Sequence, residues 1–350
     1  MYVSPLNILV NRIIDGAQDL IAAVERGEQI PNLALRRSAR LPVVAAIYTA
    51  LKRPILLLTD RSDHALTLAD ELALWAPEVD RMYFPEPNPL FYEDAPWGPS
   101  TRRDRLAVLT RLAAFQIPGG ASEAAVPIIM APARALMART MPRREFLKAT
   151  RSLKRGHIIS PEDLARYLVS LGFEPVNTVV TTGQFARRGG ILDLWPQAED
   201  HPTRVEFFGD EIDTLRRFDP ATQRTVAPQE RVLISPAREY LTPSEAQSPV
   251  PMGEISEFHI PLLHPAPTSV LDYLPPGGLV MIDNWDLLQS GVNDIEEKAL
   301  SLRSDYIAED RLPEDFPLPY FTWTEIQDSL SARQVIELGP ATAAEKSELA

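Results

Sequence analysis

The 350-residue chain is long for a single hydrophobic core, so two or three domains are expected. Hydrophobic residues make up 45% and charged residues 24%, which is typical of a soluble globular protein. The formal net charge of −13 predicts poor non-specific DNA binding, because Lys and Arg must replace counterions along the phosphates. The chain has no cysteine, which excludes disulfides, thiolate metal ligands and cysteine nucleophiles. We therefore expect a cytoplasmic protein with a protein partner, since no leader sequence or membrane-length apolar run occurs.

The first part of the chain alternates predicted helices with short apolar strands. Residues 7–26 carry apolar side chains at helical spacing and predict one or two helices that end near Gly27. Buried strands are predicted at 54–59 and 125–130, with helical stretches around and between them. Apolar, β-rich runs that alternate with helices are typical of a parallel α/β sheet.

Residues 160–163 predict the start of a helix. Ser160 can cap the helix, Pro161 suits its first turn, and the two acids that follow favour the positive end of the helix dipole. Gly172 is predicted to close this helix.

The period of the pattern changes after this helix. Residues 176–234 alternate with period two and predict a small β-rich domain. The proline-rich stretch 236–276 predicts an irregular connection. Apolar runs at 279–283 and 335–338 indicate a return to α/β structure, so the simplest organisation is an α/β domain with a β-rich insertion.

The most informative stretch is a predicted hairpin. Strand 204–208 is followed by the turn residues at 209–210 and by a return strand at 211–218. Just upstream, Arg187 and Arg188 precede two glycines, which suits a turn that enters a strand at 191–196. A solvated turn and a binding site are both compatible with these two arginines.

Strand alternation divides the first hairpin strand between two faces. Val205 and Phe207 are the natural core residues, whereas Arg204, Glu206 and Phe208 lie on the outer face. An exposed aromatic flanked by arginine is typical of an interface hot spot. The pattern is equally compatible with another part of the same chain covering Phe208.

These residues carry a family resemblance. The segment FARRGGILDLWP, followed by TRVEFFGDEIDTLRRFDPATQRT, resembles in order and spacing the domain shared by UvrB and the transcription-repair coupling factors. Weaker similarity covers most of the chain, including PNPLFYEDAPWGPSTRRDRLAVLTRL, the IISPEDL helix start, ISPAREY and SVLDYLPPGGLVMIDN. In that family the domain docks the repair protein UvrA. The resemblance therefore implies that Arg188, Arg204 and Phe208 contact UvrA, with Glu206 as a neighbour.

UvrB also carries a glycine-rich phosphate loop that ends in Gly-Lys-Ser or Gly-Lys-Thr. The corresponding residues 33–46 contain neither a glycine nor a lysine, so their backbone cannot wrap a phosphate closely. We interpret Arg36, Arg37 and Arg40 as solvated surface. The Asp-Glu-x-His box of UvrB is reduced to Asp283, which taken alone is an ordinary strand-terminal acid. The chain is therefore predicted to bind no nucleotide cofactor, to catalyse no reaction and, with scattered histidines, to hold no metal.

The resemblance implies an α/β fold in three parts. A degenerate helicase-like (RecA-like) parallel-sheet domain is expected over 27–145, and a small β-rich α+β domain that binds UvrA over 146–235. Residues 1–26 and 236–350 are expected to form a second α/β subdomain. The C-terminal TAAEKSELA is typical of a helix start, so we expect the chain to be a piece of a longer protein.

In the longer protein, the resemblance implies an ATP-dependent DNA translocase whose downstream domains contact RNA polymerase and DNA. Those domains could also mask the UvrA-docking surface. Three alternatives stay open: a nucleotide-hydrolysing UvrB-like repair enzyme, a module of the same fold for another partner, and direct DNA binding through the arginines. The first is disfavoured by the missing phosphate loop and the last by the acidic net charge.

Overall fold

A computed structural model describes residues 5–117, 126–241 and 255–339. In these ranges the helices are α1 (Pro5–Gly16), α2 (Gln18–Glu25), α3 (Arg37–Leu51), α4 (Ser62–Trp75), α5 (Pro99–Ala114), α6 (Ala133–Met137), α7 (Arg143–Lys148), α8 (Pro161–Ser170), α9 (Ile260–Leu263), α10 (Trp285–Ala308) and α11 (Trp323–Ser331). The strands are β1 (Ile55–Thr59), β2 (Asp80–Tyr83), β3 (Pro127–Pro132), β4 (Arg151–Lys154), β5 (Glu174–Pro175), β6 (Gln184–Arg188), β7 (Ile191–Leu194), β8 (Thr203–Phe208), β9 (Glu211–Phe218), β10 (Thr225–Pro228), β11 (Arg231–Ile234), β12 (Leu279–Ile282) and β13 (Val335–Glu337). The predicted helix start at the C-terminus lies outside the described residues.

The chain divides into two compact units. Unit 1 comprises Met1–Glu93, Glu123–Arg139 and Ser269–Ala350, and unit 2 comprises Asp94–Ser122 and Thr140–Thr268. Strands β12 and β13 belong to the same sheet as β1, which agrees with the interrupted α/β domain predicted from the apolar runs, and α5 lies in unit 2. The three-part boundaries expected from the resemblance stay a prediction. Among the described helices, none is long and apolar enough to cross a bilayer.

Unit 1 is built on a five-stranded sheet with the order β13-β12-β1-β3-β2, in which every neighbouring pair is parallel. All residues of β1, β3 and β12 are buried, as expected for central strands whose two faces are both covered. Helices α3 and α4 contribute buried apolar residues to the core against this sheet. The parallel α/β sheet predicted from the apolar runs is therefore confirmed.

Unit 2 holds the β-rich region predicted from the period-two pattern. Its six-stranded sheet has the order β10-β9-β8-β7-β6-β5 and is antiparallel except for the pairing of β5 with β6. A second, two-stranded sheet pairs β4 with β11. Leu164 and Leu168 of α8 share a core with Leu192 and Val205 of the larger sheet, so one face of that sheet is buried beneath the helix.

Helix α8 begins and ends as the sequence predicts. The Ser160 side chain accepts a hydrogen bond from the Asp163 backbone N–H at 3.0 Å, and Pro161 occupies the first helical position. Gly172 follows the helix with φ of +82°, a conformation that L residues rarely adopt. A Cβ there would lie 2.8 Å from Arg238 Cγ, so a side chain lacks both conformation and space.

Candidate functional site

The predicted hairpin is confirmed as β8 and β9. The two strands pair with Val205 opposite Leu215 and Glu206 opposite Thr214, and the register then shifts so that Phe207 lies opposite Ile212. Asp213 is the extra residue of this β-bulge, which increases the local twist of the hairpin near its tip. The tip consists of two residues, of which Gly209 has φ of +62°.

The face assignment made from alternation is also confirmed. Val205 is fully buried, and Phe207 is partly buried against the same core. Phe208 is 83% exposed, so none of the residues that the structure describes covers the ring. Phe207 is less buried than predicted because it lies beyond the bulge, close to the hairpin tip.

Strand register brings several outer residues into one row. Arg188 of β6 lies opposite Ile191 of β7, which lies opposite Glu206 of β8. Directly opposite residues of an antiparallel pair point to the same side of the sheet. Arg188, Ile191 and Glu206 therefore share the side to which Phe208 points. Arg188 is the last residue of β6 and precedes the turn, rather than lying in it as predicted.

A second row extends this side at the hairpin tip. Glu211 lies opposite Phe208 on one flank and forms an isolated bridge with Ile158 on the other. Ile158 is 74% exposed and Ile191 38% exposed. We define the outer face as Ile158, Arg188, Ile191, Glu206 and Phe208. Ile158 and Ile191 were missed from the sequence, although the alternation of ILDL at 191–194 could have indicated Ile191.

Arg204 is held firmly by its own unit. Its Nε and Nη2 atoms donate to the two carboxylate oxygens of Asp193 at 2.7 and 2.8 Å, and Asp193 lies directly opposite it on β7. The hydrogen bonds to Asp193 raise the pKa of the Arg204 guanidinium. The guanidinium also lies 4.7 Å from the centre of the Phe218 ring, in a small cluster with Val179 and Ala186. Arg204 therefore supports the outer face from one row behind it.

The two other charged residues of the predicted site, Arg188 and Glu206, differ in their exposure and in their contacts within the chain. The Arg188 side chain is exposed and uses one nitrogen, Nη2, to donate to the Asn177 carbonyl at 2.5 Å and to Thr178 Oγ1 at 3.0 Å. Glu206 forms an ion pair with Arg216 and accepts a hydrogen bond from Thr214 Oγ1 at 2.9 Å. Of the predicted charged residues, Arg188 is thus best placed to meet a partner.

In the region that corresponds to a phosphate loop, one of the three arginines predicted to be solvated is buried instead. The backbone N–H groups of Leu33 and Leu35 donate to the carbonyls of Glu337 and Leu338, and α3 begins directly afterwards. Arg36 and Arg37 are exposed, as predicted. The interpretation of Arg40 as solvated surface is wrong, because this side chain is buried.

Arg40 is buried because it forms an ion pair with Asp283. Arg40 Nη1 donates to Asp283 Oδ2 at 3.0 Å, and its Nε donates to the Leu35 carbonyl at 3.2 Å. Asp283 directly follows β12 and is 2% exposed. His64 completes the cluster, with Nε2 3.7 Å from Asp283 and Nδ1 2.8 Å from Asp60. Asp283 is therefore more than an ordinary strand-terminal acid.

This cluster lies where ligands bind in open α/β sheets. On one side of β1 the sheet continues with β3 and β2, and on the other side it continues with β12 and β13. The direction in which strands are added therefore reverses between β1 and β12. The crevice at the carboxyl ends of such strands is the usual ligand site. Here the Arg40 cation is paired with the Asp283 carboxylate at that point. Within the described ranges, no group of three or more His, Asp or Glu side chains is placed to hold a metal ion.

Comparison with known proteins finds a family model that matches the hairpin region. Residues 152–240 match the family model described as the UvrB interaction domain. This match covers α8, the six-stranded sheet and β11, and it includes the whole outer face.

The chain is also related over a longer span to two kinds of repair protein. It is 30% identical over 236 residues to the transcription-repair-coupling factor of Bacillus subtilis (strain 168), covering 67% of this chain and 19% of that protein. It is 31% identical over 228 residues to the factor of Escherichia coli (strain K12), covering 64% and 19%. UvrABC system protein B of Gloeothece citriformis (strain PCC 7424) is 30% identical over 236 residues, covering 65% and 35%.

Residues 152–240 therefore match the UvrB interaction domain, and about two thirds of the chain is similar to transcription-repair-coupling factors and to UvrABC system protein B. These relatives connect the chain with DNA repair. The chain spans about a fifth of the length of the coupling factors that it matches.

Proposed function

We propose that the outer face of unit 2 docks UvrA, and that the chain is the UvrA-recruiting module of a transcription-repair coupling factor. The observation that carries this proposal is Phe208. Its ring is 83% exposed at the tip of the hairpin, where a phenyl group gains nothing from water. An apolar side chain presented in this way is typical of a protein-binding surface.

The neighbours of Phe208 match the composition of an interface centre. Ile158 and Ile191 add apolar area on either side, and Arg188 adds a guanidinium with donors left to offer. Aromatic and arginine side chains are the residues most enriched among interface hot spots. Arg204 acts as a positioning residue, because its ion pair with Asp193 fixes the strand behind Phe208.

We propose that unit 1 is a degenerate RecA-like domain that does not hydrolyse ATP. The cation of Arg40 already neutralises Asp283 at the crevice between β1 and β12. A UvrB-like hydrolase, the second candidate, needs a phosphate-loop lysine, a hydroxyl for magnesium and a free carboxylate at this point. In this proposal, translocation on DNA and contact with RNA polymerase belong to other parts of the full-length protein, which can also mask the outer face.

The test is a calorimetric titration of UvrA with variants of the whole chain. Phe208→Ala is expected to weaken binding by about 2 kcal/mol, which is about thirtyfold, while the melting temperature stays unchanged. Leu74→Ala is the matched control, because Leu74 of unit 1 is a similarly exposed apolar residue at 64%. This control is expected to bind UvrA like the parent.

The two arginines should give different signatures. Arg188→Ala should weaken UvrA binding with little loss of stability, because its side chain is exposed. Arg204→Ala should lower both affinity and stability, because it leaves Asp193 buried without its partner. If the Arg188, Arg204 and Phe208 variants all bind UvrA as tightly as the parent, the docking proposal fails.

A further inference from the structure

Residues 143–155 have a charge opposite to that of the chain as a whole. This run carries six basic residues and one acidic residue in a chain of net charge −13. All six basic side chains are exposed, and together they define the basic surface: Arg143, Arg144, Lys148, Arg151, Lys154 and Arg155. The only other exposed residue in the run is Ser152.

The local fold explains why these cations point outwards together. Helix α7 is anchored by Phe146, which is fully buried, and β4 is anchored by Leu153, at 4% exposure. Arg144 and Lys148 lie four residues apart on α7, which places them about 6 Å apart along one side of the helix. Lys154 lies opposite another cation, Arg231, across the β4–β11 pair.

Few carboxylates neutralise this surface. The single acid of the run, Glu145, lies with its Oε2 atom 2.9 Å from Nδ1 of His264. Asp213 lies 3.7 Å from Arg155. Across the three described ranges, no carboxylate comes within ion-pair distance of Arg144, Lys148 or Lys154. Like charges held this close repel one another, so a polyanion bound here relieves an unfavourable arrangement.

We propose that the basic surface binds the phosphate backbone of duplex DNA, independently of the docking function proposed for the outer face. Closely spaced phosphates are the complement of a row of exposed cations. Contacts to phosphates also require no apolar anchor, and the run exposes none. An acidic protein segment fits less well, because protein interfaces are centred on buried apolar and aromatic side chains.

The same geometry predicts binding without sequence preference. The Tyr167 ring beside this surface lies 4.2 Å from the Arg151 guanidinium, and its hydroxyl donates to the Ala149 carbonyl at 2.6 Å. This ring is therefore engaged within unit 2 and is not available for stacking on bases. The net charge of the whole chain does not describe this surface. The potential near each cation is set by charges within about one Debye length, ~10 Å at 0.1 M salt.

The experiment measures binding of a fluorescein-labelled 25-base-pair duplex to the whole chain by anisotropy, between 25 and 150 mM NaCl. The test variant combines Arg144→Gln, Lys148→Gln and Lys154→Gln. The matched control combines Arg12→Gln, Arg224→Gln and Lys298→Gln, which are exposed cations elsewhere in the chain. Both variants change the net charge by the same amount, so a difference between them does not come from net charge.

The parent is expected to bind the duplex at 25 mM NaCl and to weaken steeply as salt rises. The test variant should bind at least about tenfold more weakly at 25 mM, and its log–log salt slope should be shallower by about 2.7, or about 0.9 for each lost contact. The control should retain the parent's slope. Equal losses in both variants, or a polyglutamate peptide that binds more tightly than the duplex, would overturn the proposal. A titration of UvrA against the same test variant should match the parent, which separates this surface from the outer face.

Discussion

The ion pair between Arg105 and Glu239 offers a sharp test of how unit 2 is held together. Arg105 Nε and Nη2 donate to the two Glu239 oxygens at 2.6 and 3.1 Å, and both side chains are completely buried. The Arg105 guanidinium also lies 4.5 Å from the centre of the Trp97 ring. The pair connects α5 with the segment that follows β11, and thus joins two of the stretches that carry the weaker family resemblance.

Replacing Arg105 with methionine keeps much of the apolar stem but leaves Glu239 buried as an unpaired charge. Removing one partner of a buried pair typically costs about 3–5 kcal/mol, and complete burial places this pair at the upper end. Replacing both partners, as in Arg105→Met with Glu239→Leu, should recover most of the loss, because the unpaired charge is gone. The cycle of single and double variants isolates the coupling between the two residues.

Native-state hydrogen exchange is the appropriate assay, because a chain with two units does not unfold in one step. In Arg105→Met, the slowest amides of α5, β4 and β11 should exchange faster by the factor that corresponds to the lost stability. The amides of β1 and β12 in unit 1 serve as the internal reference. If the α5 amides shift by less than about 1 kcal/mol, the reasoning about an uncompensated charge is refuted.

Three further predictions concern other parts of the chain. Calorimetry with Mg-ATP should show no saturable site at micromolar concentrations, since residues 33–46 lack the phosphate-loop glycines and lysine. Val205→Ala should lower stability by about 2 kcal/mol through a core cavity, whereas Phe207→Ala should leave UvrA affinity near the parent value while lowering the melting temperature. Burial lowers the pKa of His264, so the unfolded state takes up protons first and unit 2 should lose stability as pH falls below about 6.5. Native-state hydrogen exchange of the unit 2 amides at pH 5.5 and 7.5 checks this, and His264→Gln should flatten the difference.

The sequence predicted those parts of the fold whose signals are local. Runs of apolar β-rich residues predicted the parallel sheet, because strands buried on both faces need no polar alternation. The serine cap and glycine stop of α8 lie within one helix length of each other, and the structure contains both. Alternation separated Val205 from Phe208 for the same reason: neighbouring strand residues point to opposite sides.

The arginines show where local reasoning ends. Arg40 and Asp283 are 243 positions apart in the chain, so no window around Arg40 could indicate that its charge would be neutralised by burial against a carboxylate. Arg204 pairs with Asp193, which is only 11 positions away, but this pairing follows from the register of β7 and β8 and not from alternation along one strand. The sequence predicts the same role for Arg188 and Arg204. In the structure Arg188 is exposed, whereas Arg204 forms an ion pair with Asp193.

The pairing of Arg40 with Asp283 also bears on the proposal that unit 1 does not hydrolyse ATP. In nucleotide-hydrolysing proteins, the acid at the end of a central strand faces Mg²⁺ and a phosphate-loop lysine, so its charge is balanced only in part by the protein. A buried carboxylate without such a partner is costly. In this chain a guanidinium supplied by α3 lies 3.0 Å from Asp283, and both side chains are almost completely buried. Because this cation is covalently part of the fold, the charge of Asp283 is balanced without a ligand, as the proposal of a domain without ATP hydrolysis requires.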